Sequence, residues 1–347
     1  MNFTRSFSLL ACSALVGVMS LATPANAQET VEQFYAGKTL DYIIGYSPGG
    51  AYDQYARLVA RFLPRFIPGN PEIVVRNMPG GGSRAAVNYL YNVAPKDGTV
   101  LATADQGLAL YQAMGDETLG FNVAELNFIG NPIANNNVVV TWHESGVETI
   151  EDARTTPITV GSTGSSTSLQ YPTVMNNVLG TKFEIIVGYQ GGNDINFAME
   201  TGEVDARGSN SWASYKATTP QWIKNDLINV LVQIGLEREP DLADVPLLVD
   251  FAENDADRAM LQLLSTPPAI GRPIFTTPEV PQDRIDALRA AFDAMVQDSD
   301  FLAEATKEGL DIAPVSGARL QEIVEEIIAT PPEVGQRLEE VGGSITQ

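Results

Sequence analysis

Cysteine and histidine are nearly absent from this sequence. Its 347 residues contain one cysteine, Cys12, and one histidine, His143. Cys12 falls in an N-terminal segment that the mature chain is expected to lose, so disulfide bonds and a thiolate metal site are excluded. One histidine cannot build a multi-histidine metal site, and a hydrolytic triad would depend on His143 alone. We therefore expect no metal, and a fold that is stabilised by burial of apolar side chains.

Basic residues are also scarce. Lysine and arginine total 21 against 43 aspartates and glutamates, which gives a net charge of −22. Because DNA and RNA are strongly anionic, we expect no nucleic acid partner. A surface of this sign repels small anions at long range. Any anion site must therefore depend on amides and hydroxyls that act at short range, where distant charges are screened.

Long apolar runs are missing except at the N-terminus. Arg5 precedes an apolar run over residues 7–22, and small residues at 25–27 suit a cleavage site. This combination predicts a secretory signal peptide over residues 1–27 and a mature chain that starts near Gln28. No later segment reaches the roughly 18 apolar residues of a membrane-spanning helix. We expect an exported protein that does not itself span the membrane.

Behind this leader, short apolar strands alternate with helix-like segments, which predicts an α/β protein built on parallel sheets. At roughly 100–200 residues per domain, two domains are expected. The predicted strands are residues 40–46, 73–76, 100–104, 138–142, 158–161, 184–188 and 228–234. From residue 281 onward the pattern predicts helices only, at residues 284–296, 301–308 and 319–329.

The turn after the first predicted strand has the residues of an anion site. Two glycines let the backbone approach a ligand closely, and N–H groups near the start of a helix favour negative charge. Asp53 is predicted to cap the helix, which leaves the amides just before it for a ligand. The candidate ligand-binding residues in this turn are Ser47, Gly49, Gly50, Ala51 and Tyr52.

Two further turns in the second half of the chain have a similar composition. Residues 161–168 contain five hydroxyl side chains or more, and residues 189–194 include two glycines and Asn193, a predicted cap. Ligands of open α/β sheets bind at the carboxyl ends of strands, where all three turns lie. If the first turn belongs to one domain and the other two to a second, the ligand site is a cleft between domains.

Residues 80–85 fit the pattern G-x-G-x-x-A, and Asp105 follows about twenty residues later, so a dinucleotide site must be considered. The strand before this pattern is the second of the chain, and residues 77–79 lengthen the turn beyond the tight connection that a dinucleotide fingerprint requires. We therefore expect no nicotinamide, flavin or other cofactor.

Several motifs occur in an order and spacing found in one family. Residues 48–53 read Pro-Gly-Gly-Ala-Tyr-Asp where the family has Pro-Gly-Gly-Gly-x-Asp, and an Ala-Arg pair follows at 56–57. Residues 76–83 read Arg-Asn-Met-Pro-Gly-Gly-Gly-Ser, similar to its Glu-Asn-x-Pro-Gly-Ala-Gly-Gly. Over nearly all of its mature length the chain resembles the Bug-type extracytoplasmic solute receptors of the tripartite tricarboxylate transporters.

This resemblance implies a two-lobed clamshell of the periplasmic-binding-protein type (type II). Each lobe is expected to be a mainly parallel sheet flanked by helices, with the ligand cleft between the lobes. Residues 28–131 and 250–347 are expected to form lobe 1, and residues 132–249 lobe 2. The chain passes between the lobes twice, and these two connections are expected to act as a hinge that closes the lobes on a solute.

The resemblance also implies a set of binding residues. A carboxylate is expected between the first turn and the hydroxyl-rich loop, where the candidates are Thr163, Gly164, Ser165 and Thr167. Selectivity for the part of the solute that lies away from this carboxylate is assigned to Asp105, Gln106, Tyr189, Arg207, Asn210 and Trp212. The family's Val-Pro-Tyr-Lys-Gly reads Val-Gly-Tyr-Gln-Gly at 187–191, so Gln190 replaces a cationic side chain near the cleft.

The function implied is that of a periplasmic receptor, not an enzyme. It is expected to be a monomer that binds a small mono- or dicarboxylate and delivers it to the membrane subunits of a transporter. A rival hypothesis is an exported hydrolase or isomerase that uses His143 with a serine from residues 162–168. A third is a subunit that presents bound solute to a membrane sensor.

Overall fold

The computed structural model describes residue 1 and residues 29–343. The predicted signal peptide, with Cys12 and the cleavage site, therefore lies outside the described residues apart from Met1. Among the residues that are described, no helix is long and apolar enough to cross a membrane.

The strands of residues 29–343 form two sheets. In chain order they are β1 (Thr39–Ile44), β2 (Glu72–Asn77), β3 (Val100–Thr103), β4 (Asn127–Asn131), β5 (Asn137–Trp142), β6 (Ile158–Ser162), β7 (Phe183–Val187), β8 (Ala206–Ser211), β9 (Ile228–Ile234), β10 (Ile274–Thr276) and β11 (Val315–Ser316).

Helices cover both sheets and fill the C-terminal third. They are α1 (Val31–Tyr35), α2 (Ala51–Phe62), α3 (Arg84–Asn92), α4 (Leu108–Ala113), α5 (Ile150–Thr155), α6 (Thr167–Leu179), α7 (Gly192–Glu200), α8 (Trp212–Thr218), α9 (Pro220–Lys224), α10 (Asp255–Leu264), α11 (Pro267–Ile270), α12 (Gln282–Met295), α13 (Ser299–Lys307), α14 (Gly317–Ile328) and α15 (Pro332–Gly342).

The first sheet has the order β11-β4-β10-β3-β1-β2, and the second has the order β7-β6-β8-β5-β9. We call each sheet with its flanking helices a lobe. Both sheets are mixed, but each is mainly parallel as predicted, since four of six strands in the first sheet and four of five in the second run in one direction. In the first sheet β1 runs parallel to β2 and β3, whereas β10 runs antiparallel to β3 and β4. In the second, β5 runs antiparallel to β8 and β9.

The sequence pattern concealed several of the strands. β8 consists mostly of small polar residues, and β10 and β11 have three and two residues. Such segments have neither the length nor the β-branched composition by which a strand is recognised. β11 also contradicts the prediction that no strand follows residue 281. The predicted lobe boundaries at residues 131 and 249 stay a prediction.

Apolar faces of the helices bury against the sheets. In α2, Leu58, Val59 and Phe62 recur at helical spacing and are buried, while Arg57 and Arg61 lie on the outer side. This amphipathic spacing is what places α2 on the first sheet. α6 ends at Leu179, where Gly180 takes the left-handed conformation of a C-cap, as the sequence predicts.

The two lobes contact each other closely. The Ser47 N–H donates to the Gln190 carbonyl over 3.2 Å, and the Ser47 hydroxyl donates to Asp194 over 2.8 Å. A Cβ placed on Gly82 would lie 2.4 Å from the Ser165 carbonyl oxygen. The last helix, α15, packs against α6 of the second lobe. The structure therefore has a closed cleft.

Replacing Gly82 by alanine should open this cleft. Gly82 has a φ of +61°, so alanine adds strain of about 1–2 kcal/mol. It also places a methyl group against backbone of the opposite lobe, which has no side-chain freedom to yield. Small-angle X-ray scattering should therefore give a larger radius of gyration for Gly82→Ala than for wild type.

Gly81→Ala is the matched control. Gly81 has a similar φ of +55°, but its Cβ would meet only the Arg84 Cβ at 3.7 Å, within the same lobe. The control should share the strain without opening the cleft. Equal radii of gyration for the two variants would contradict the assigned contact.

Candidate functional site

A cavity of about 70 Å³ lies between the lobes at the carboxyl ends of several strands. Both lobes contribute to its wall, and most of the lining residues have polar side chains. Its lining residues are Tyr46, Gly50, Ala51, Tyr52, Asp105, Gln106, Asn137, Thr163, Ser166, Thr167, Ser168, Gly192, Ile195, Arg207, Ser209, Asn210, Ser211, Ser214, Gly271 and Arg272. We call it the inner cavity.

The first lobe presents the N-terminus of α2 to this cavity. The helix begins at Ala51 with Gly50 as its N-cap, and the first intrahelical bond runs from the Gln54 N–H to the Gly50 carbonyl. The N–H groups of Ala51 and Tyr52 precede that bond, so the helix itself gives them no acceptor. Amides of this kind favour an anion.

The prediction that Asp53 caps α2 was wrong, because the helix starts two residues earlier. Asp53 lies in the first turn, where its carboxylate accepts hydrogen bonds from the Gly49 N–H, Arg57 and Asn77, each at 2.9 Å. Burial raises the pKa of Asp53, but these hydrogen bonds outweigh it and the pKa is lowered. The amide of Gly49 is thus occupied by Asp53 and not available to a solute.

Asp105 joins the two lobes. Its carboxylate accepts hydrogen bonds from Tyr46 at 2.8 Å, Tyr111 at 2.9 Å and the Gly107 N–H at 2.8 Å, all within the first lobe. The Thr167 hydroxyl of the second lobe donates to it over 3.4 Å, and Thr167 also offers a backbone hydrogen bond. Burial raises the pKa of Asp105 despite these donors. Asp105 therefore occupies the N-terminus of α6.

The hydroxyl-rich loop of the second lobe is bonded largely to itself. The Ser168 hydroxyl lies within 3.0 Å of the hydroxyls of Ser162 and Ser166, and it accepts from the Thr163 N–H at 2.9 Å. The Gly164 N–H donates to Ser162 over 3.2 Å. The loop therefore offers a solute fewer free donors than its composition predicts.

Arg207, the second residue of β8, brings a buried positive charge to the inner cavity. The residue is 8% exposed, and its Nη1 donates to the Asn196 side chain over 2.8 Å and to the Gly192 carbonyl over 3.3 Å. A Cβ on Gly192 would lie 2.6 Å from Nη2, so the guanidinium packs directly against the backbone of Gly192. Its Nε has no hydrogen-bond partner. Burial lowers the pKa of Arg207, which marks an uncompensated charge.

Arg272 brings a second such charge from the segment between α11 and β10. It is 5% exposed, and its guanidinium carbon lies 5.4 Å from the ring centre of Tyr52 and 4.7 Å from that of Tyr55. Nη2 donates to the hydroxyls of Ser211 and Ser214 in the second lobe, while Nε has no partner. Arg272 thus crosses the cleft.

Neither arginine has a carboxylate partner. Among residues 29–343, the ion pairs involve other side chains, and no carboxylate oxygen lies within pairing distance of Arg207 or Arg272. Buried charges are normally paired, because desolvation of a lone ion is costly. Two unpaired guanidiniums on one wall are therefore the chemistry of an anion site.

The structure brings part of the predicted site together. Eight candidates line the inner cavity: Gly50, Ala51, Tyr52, Asp105, Thr163, Thr167, Arg207 and Asn210. Six others do not line it: Ser47, Gly49, Gly164, Ser165, Tyr189 and Trp212. Ser47 binds Asp194 at the lobe contact, the Tyr189 hydroxyl donates to Glu203, and Trp212 packs on Tyr215.

Sequence reasoning missed Arg272 and the serines of β8 and α8. No motif surrounds Arg272. Its position depends on Gly271, which has a φ of +63°, and on the Arg272 N–H, which donates to the Asn131 side chain over 3.0 Å. The one available signal was scarcity: with 21 basic residues, an arginine flanked by apolar segments is unusual.

His143 lies far from this cavity. It is exposed in the turn after β5, whereas the cavity is lined by Asn137 at the opposite end of that strand. Six residues of extended chain span roughly 20 Å. His143 and the serines of residues 162–168 are therefore not brought together, and within the described residues no group of three or more His, Cys, Asp or Glu is arranged for a metal ion.

Solved structures share this fold, among them the periplasmic binding protein BugD. BugD superposes with a TM-score of 0.69 at 16% identity, over 89% of this chain and 99% of that one. MatC from Rhodopseudomonas palustris with bound malate gives 0.67 at 18% identity, over 88% and 99%. Rpa4515 from R. palustris with adipate gives 0.66 at 18% identity, over 88% and 97%.

No protein-family model matches the chain, and no curated protein matches it significantly. The structural likeness confirms the predicted two-lobed α/β fold of the periplasmic-binding type.

Asp105→Asn should remove a pH dependence of stability. The pKa of Asp105 is raised above 3.8 by burial, so the native protein keeps this proton at pH values where the unfolded chain has lost it. The carboxyl thus contributes stability that is fully present below pH 3.8 and is lost as pH rises through the native pKa. Urea unfolding from about pH 3 to pH 7 should show the wild-type free energy falling, relative to the variant, across that window.

Asp53→Asn serves as the control, because the contribution of Asp53 to stability has the opposite pH dependence. The pKa of Asp53 is lowered, so its contribution is present above pH 3.8 and is lost as pH falls through the native pKa. A wild-type advantage over Asp105→Asn that grows with rising pH would contradict the assignment.

Proposed function

We propose that this protein is a periplasmic solute-binding receptor for a small organic acid, and that it belongs with the extracytoplasmic receptors of the tripartite tricarboxylate transporters. One observation carries the proposal: Arg207 and Arg272 are buried in the interlobe cavity without a carboxylate partner. A solute carboxylate supplies the missing negative charge. The guanidiniums and the α2 amides of Ala51 and Tyr52 then bind it together.

Charge supports an anionic ligand over a cationic one. Asp105, the only carboxylate that the described residues place on the cavity wall, already accepts hydrogen bonds from four residues and has little capacity left for a ligand ammonium group. The wall therefore has two buried positive charges whose Nε–H groups lack acceptors. In a protein of net charge −22, this local excess of positive charge gives the cavity its selectivity.

The solved relatives support the same solute class. MatC is described with bound malate and Rpa4515 with adipate, and both of these ligands are carboxylic acids. The shared fold and the motifs at 48–53 and 76–83 point to one receptor type. We therefore assign to this chain a monomeric, exported receptor that delivers its solute to transporter membrane subunits.

Closure of the cleft on a solute follows from the placement of the two arginines on opposite lobes. Arg207 belongs to the second lobe, whereas Arg272 and α2 belong to the first, so a carboxylate bound by both guanidiniums joins the lobes. A solute that contacts both lobes stabilises the closed form over the open one. A sensory subunit that presents solute to a membrane kinase would use the same cavity.

Replacing Arg207 by methionine should abolish or strongly weaken solute binding. Loss of hydrogen bonds from a charged group costs about 1.5–3 kcal/mol, which corresponds to roughly 10–150-fold in the dissociation constant. The solute-free variant should keep near wild-type stability, because removal of an uncompensated buried charge offsets the lost hydrogen bonds. Thermal shift and calorimetry across a panel of mono- and dicarboxylates provide the measurement.

Arg238→Met is the matched control, since Arg238 is exposed and paired with Asp250 at 2.7 Å. It should leave acid binding unchanged. If wild-type protein shows no thermal shift with any acid at millimolar concentration, the proposal is wrong, because a ligand at 100 times its dissociation constant adds about 2.7 kcal/mol.

A further inference from the structure

A second cavity of about 200 Å³ opens between the lobes beside the first. Glycine-rich turns of both lobes form it. Its lining residues are Gly45, Tyr46, Gly80, Gly81, Gly82, Ser83, Thr163, Gly164, Ser165, Val187, Gly188, Tyr189 and Gln190. We call it the outer cavity. It includes Gly164, Ser165 and Tyr189, which the sequence assigned to solute binding and which do not reach the inner cavity.

The two cavities adjoin. Tyr46 and Thr163 line both of them, so one side chain from each lobe separates the two spaces. The inner cavity is small: at ~10–15 Å³ for each water-sized group, its 70 Å³ holds about five to seven non-hydrogen atoms. A solute with more atoms than this must extend past Tyr46 and Thr163 into the outer cavity.

The two cavities differ in charge. The inner wall carries Arg207, Arg272 and Asp105. The outer wall carries no aspartate, glutamate, lysine, arginine or histidine at all. A second carboxylate placed in the outer cavity would therefore find no cation to neutralise it.

Helix amides do not replace that missing cation. α3 begins at the outer cavity, but its first N–H groups are already used: Arg84 donates to the Gly81 carbonyl over 3.2 Å, Ala85 to Gly80 over 3.3 Å, and Ala86 to Ser83 over 3.1 Å. The turn therefore satisfies the helix end by itself. This also removes the basis for a phosphate-binding role of residues 80–85.

We propose that the outer cavity is a binding site for an uncharged tail of the solute. The inference rests on the proposed function, since the inner cavity must first hold the carboxylate. The solute is then a monoanionic acid with an uncharged aliphatic or aromatic extension, and the six glycines of the wall leave room for that extension because they add no side chains to the space.

Acids that differ in the length of their carbon chain and in the charge at its far end test this proposal directly. Calorimetry on the full mature protein with propionate, octanoate and octanedioate should give at least tenfold tighter binding of octanoate than of propionate. Octanedioate should bind at least tenfold more weakly than octanoate, because its distal carboxylate enters a wall without cations.

Val187→Trp fills the outer cavity from its rim. Val187 is 47% exposed and lines the cavity at the end of β7, so the larger side chain does not enter the core. The variant should bind propionate like wild type and lose the tenfold gain for octanoate. Ile186→Trp is the matched control: Ile186 is 42% exposed, precedes Val187 on the same strand and points to the other face, away from the cavity.

The outcomes separate the two proposals. If none of the three acids binds, the proposed function is wrong. If propionate binds but octanoate shows no gain, or if octanedioate binds as tightly as octanoate, the uncharged-tail site is wrong and the receptor function stands. An equal loss of octanoate affinity in Val187→Trp and Ile186→Trp would also overturn the site.

Discussion

The charge of two buried guanidiniums is the constraint on which the cleft depends. Arg207 comes from a strand of the second lobe, and Arg272 from a segment of the first that follows α11, yet both line the same inner cavity. Neither has a carboxylate partner in the described residues, so the closed cleft contains a charge that the protein leaves uncompensated. In the function that we propose, an incoming carboxylate compensates it and at the same time links the lobes, so that a single interaction accounts for both affinity and closure.

The other interlobe contacts supplement this interaction. Ser47 binds the 190–194 turn through main chain and side chain, Asp105 binds Thr167, and Gly82 meets the Ser165 backbone. Asp105 has a particular role among them, because it occupies the N-terminus of α6, beside the hydroxyl-rich loop where the sequence predicted the solute carboxylate. The proposed site for the solute carboxylate is therefore formed by the arginines and the N-terminus of α2 and not by the hydroxyl-rich loop. The proposed tail site in the outer cavity, whose wall lacks charge, extends this site without adding a second anion position.

The sequence predicted the secondary structure and the fold class more completely than it predicted the residues of the binding site. Helix and strand positions such as residues 228–234 and the C-cap at Gly180 follow from local periodicity and turn residues, which are short-range properties, whereas the two-lobed class was implied by the resemblance to a receptor family. Asp53 was misassigned because capping depends on where the helix actually begins, and that is Ala51. Four strands were missed because β4, β8, β10 and β11 gain their structure from neighbours in the sheet and not from their own composition. Arg272 was missed because no motif marks it.

The sequence by itself determined the alternation of strands and helices, the glycine-rich turns at strand ends and the excess of acidic residues, because each of these is a local or compositional property. Only the tertiary structure decided which turns meet, which hydroxyls hydrogen-bond to one another, and which of the few arginines are buried away from water. The physical reason is that burial and pairing of a charge depend on residues far apart in the chain: Arg207 and Arg272 become one site only when the lobes close.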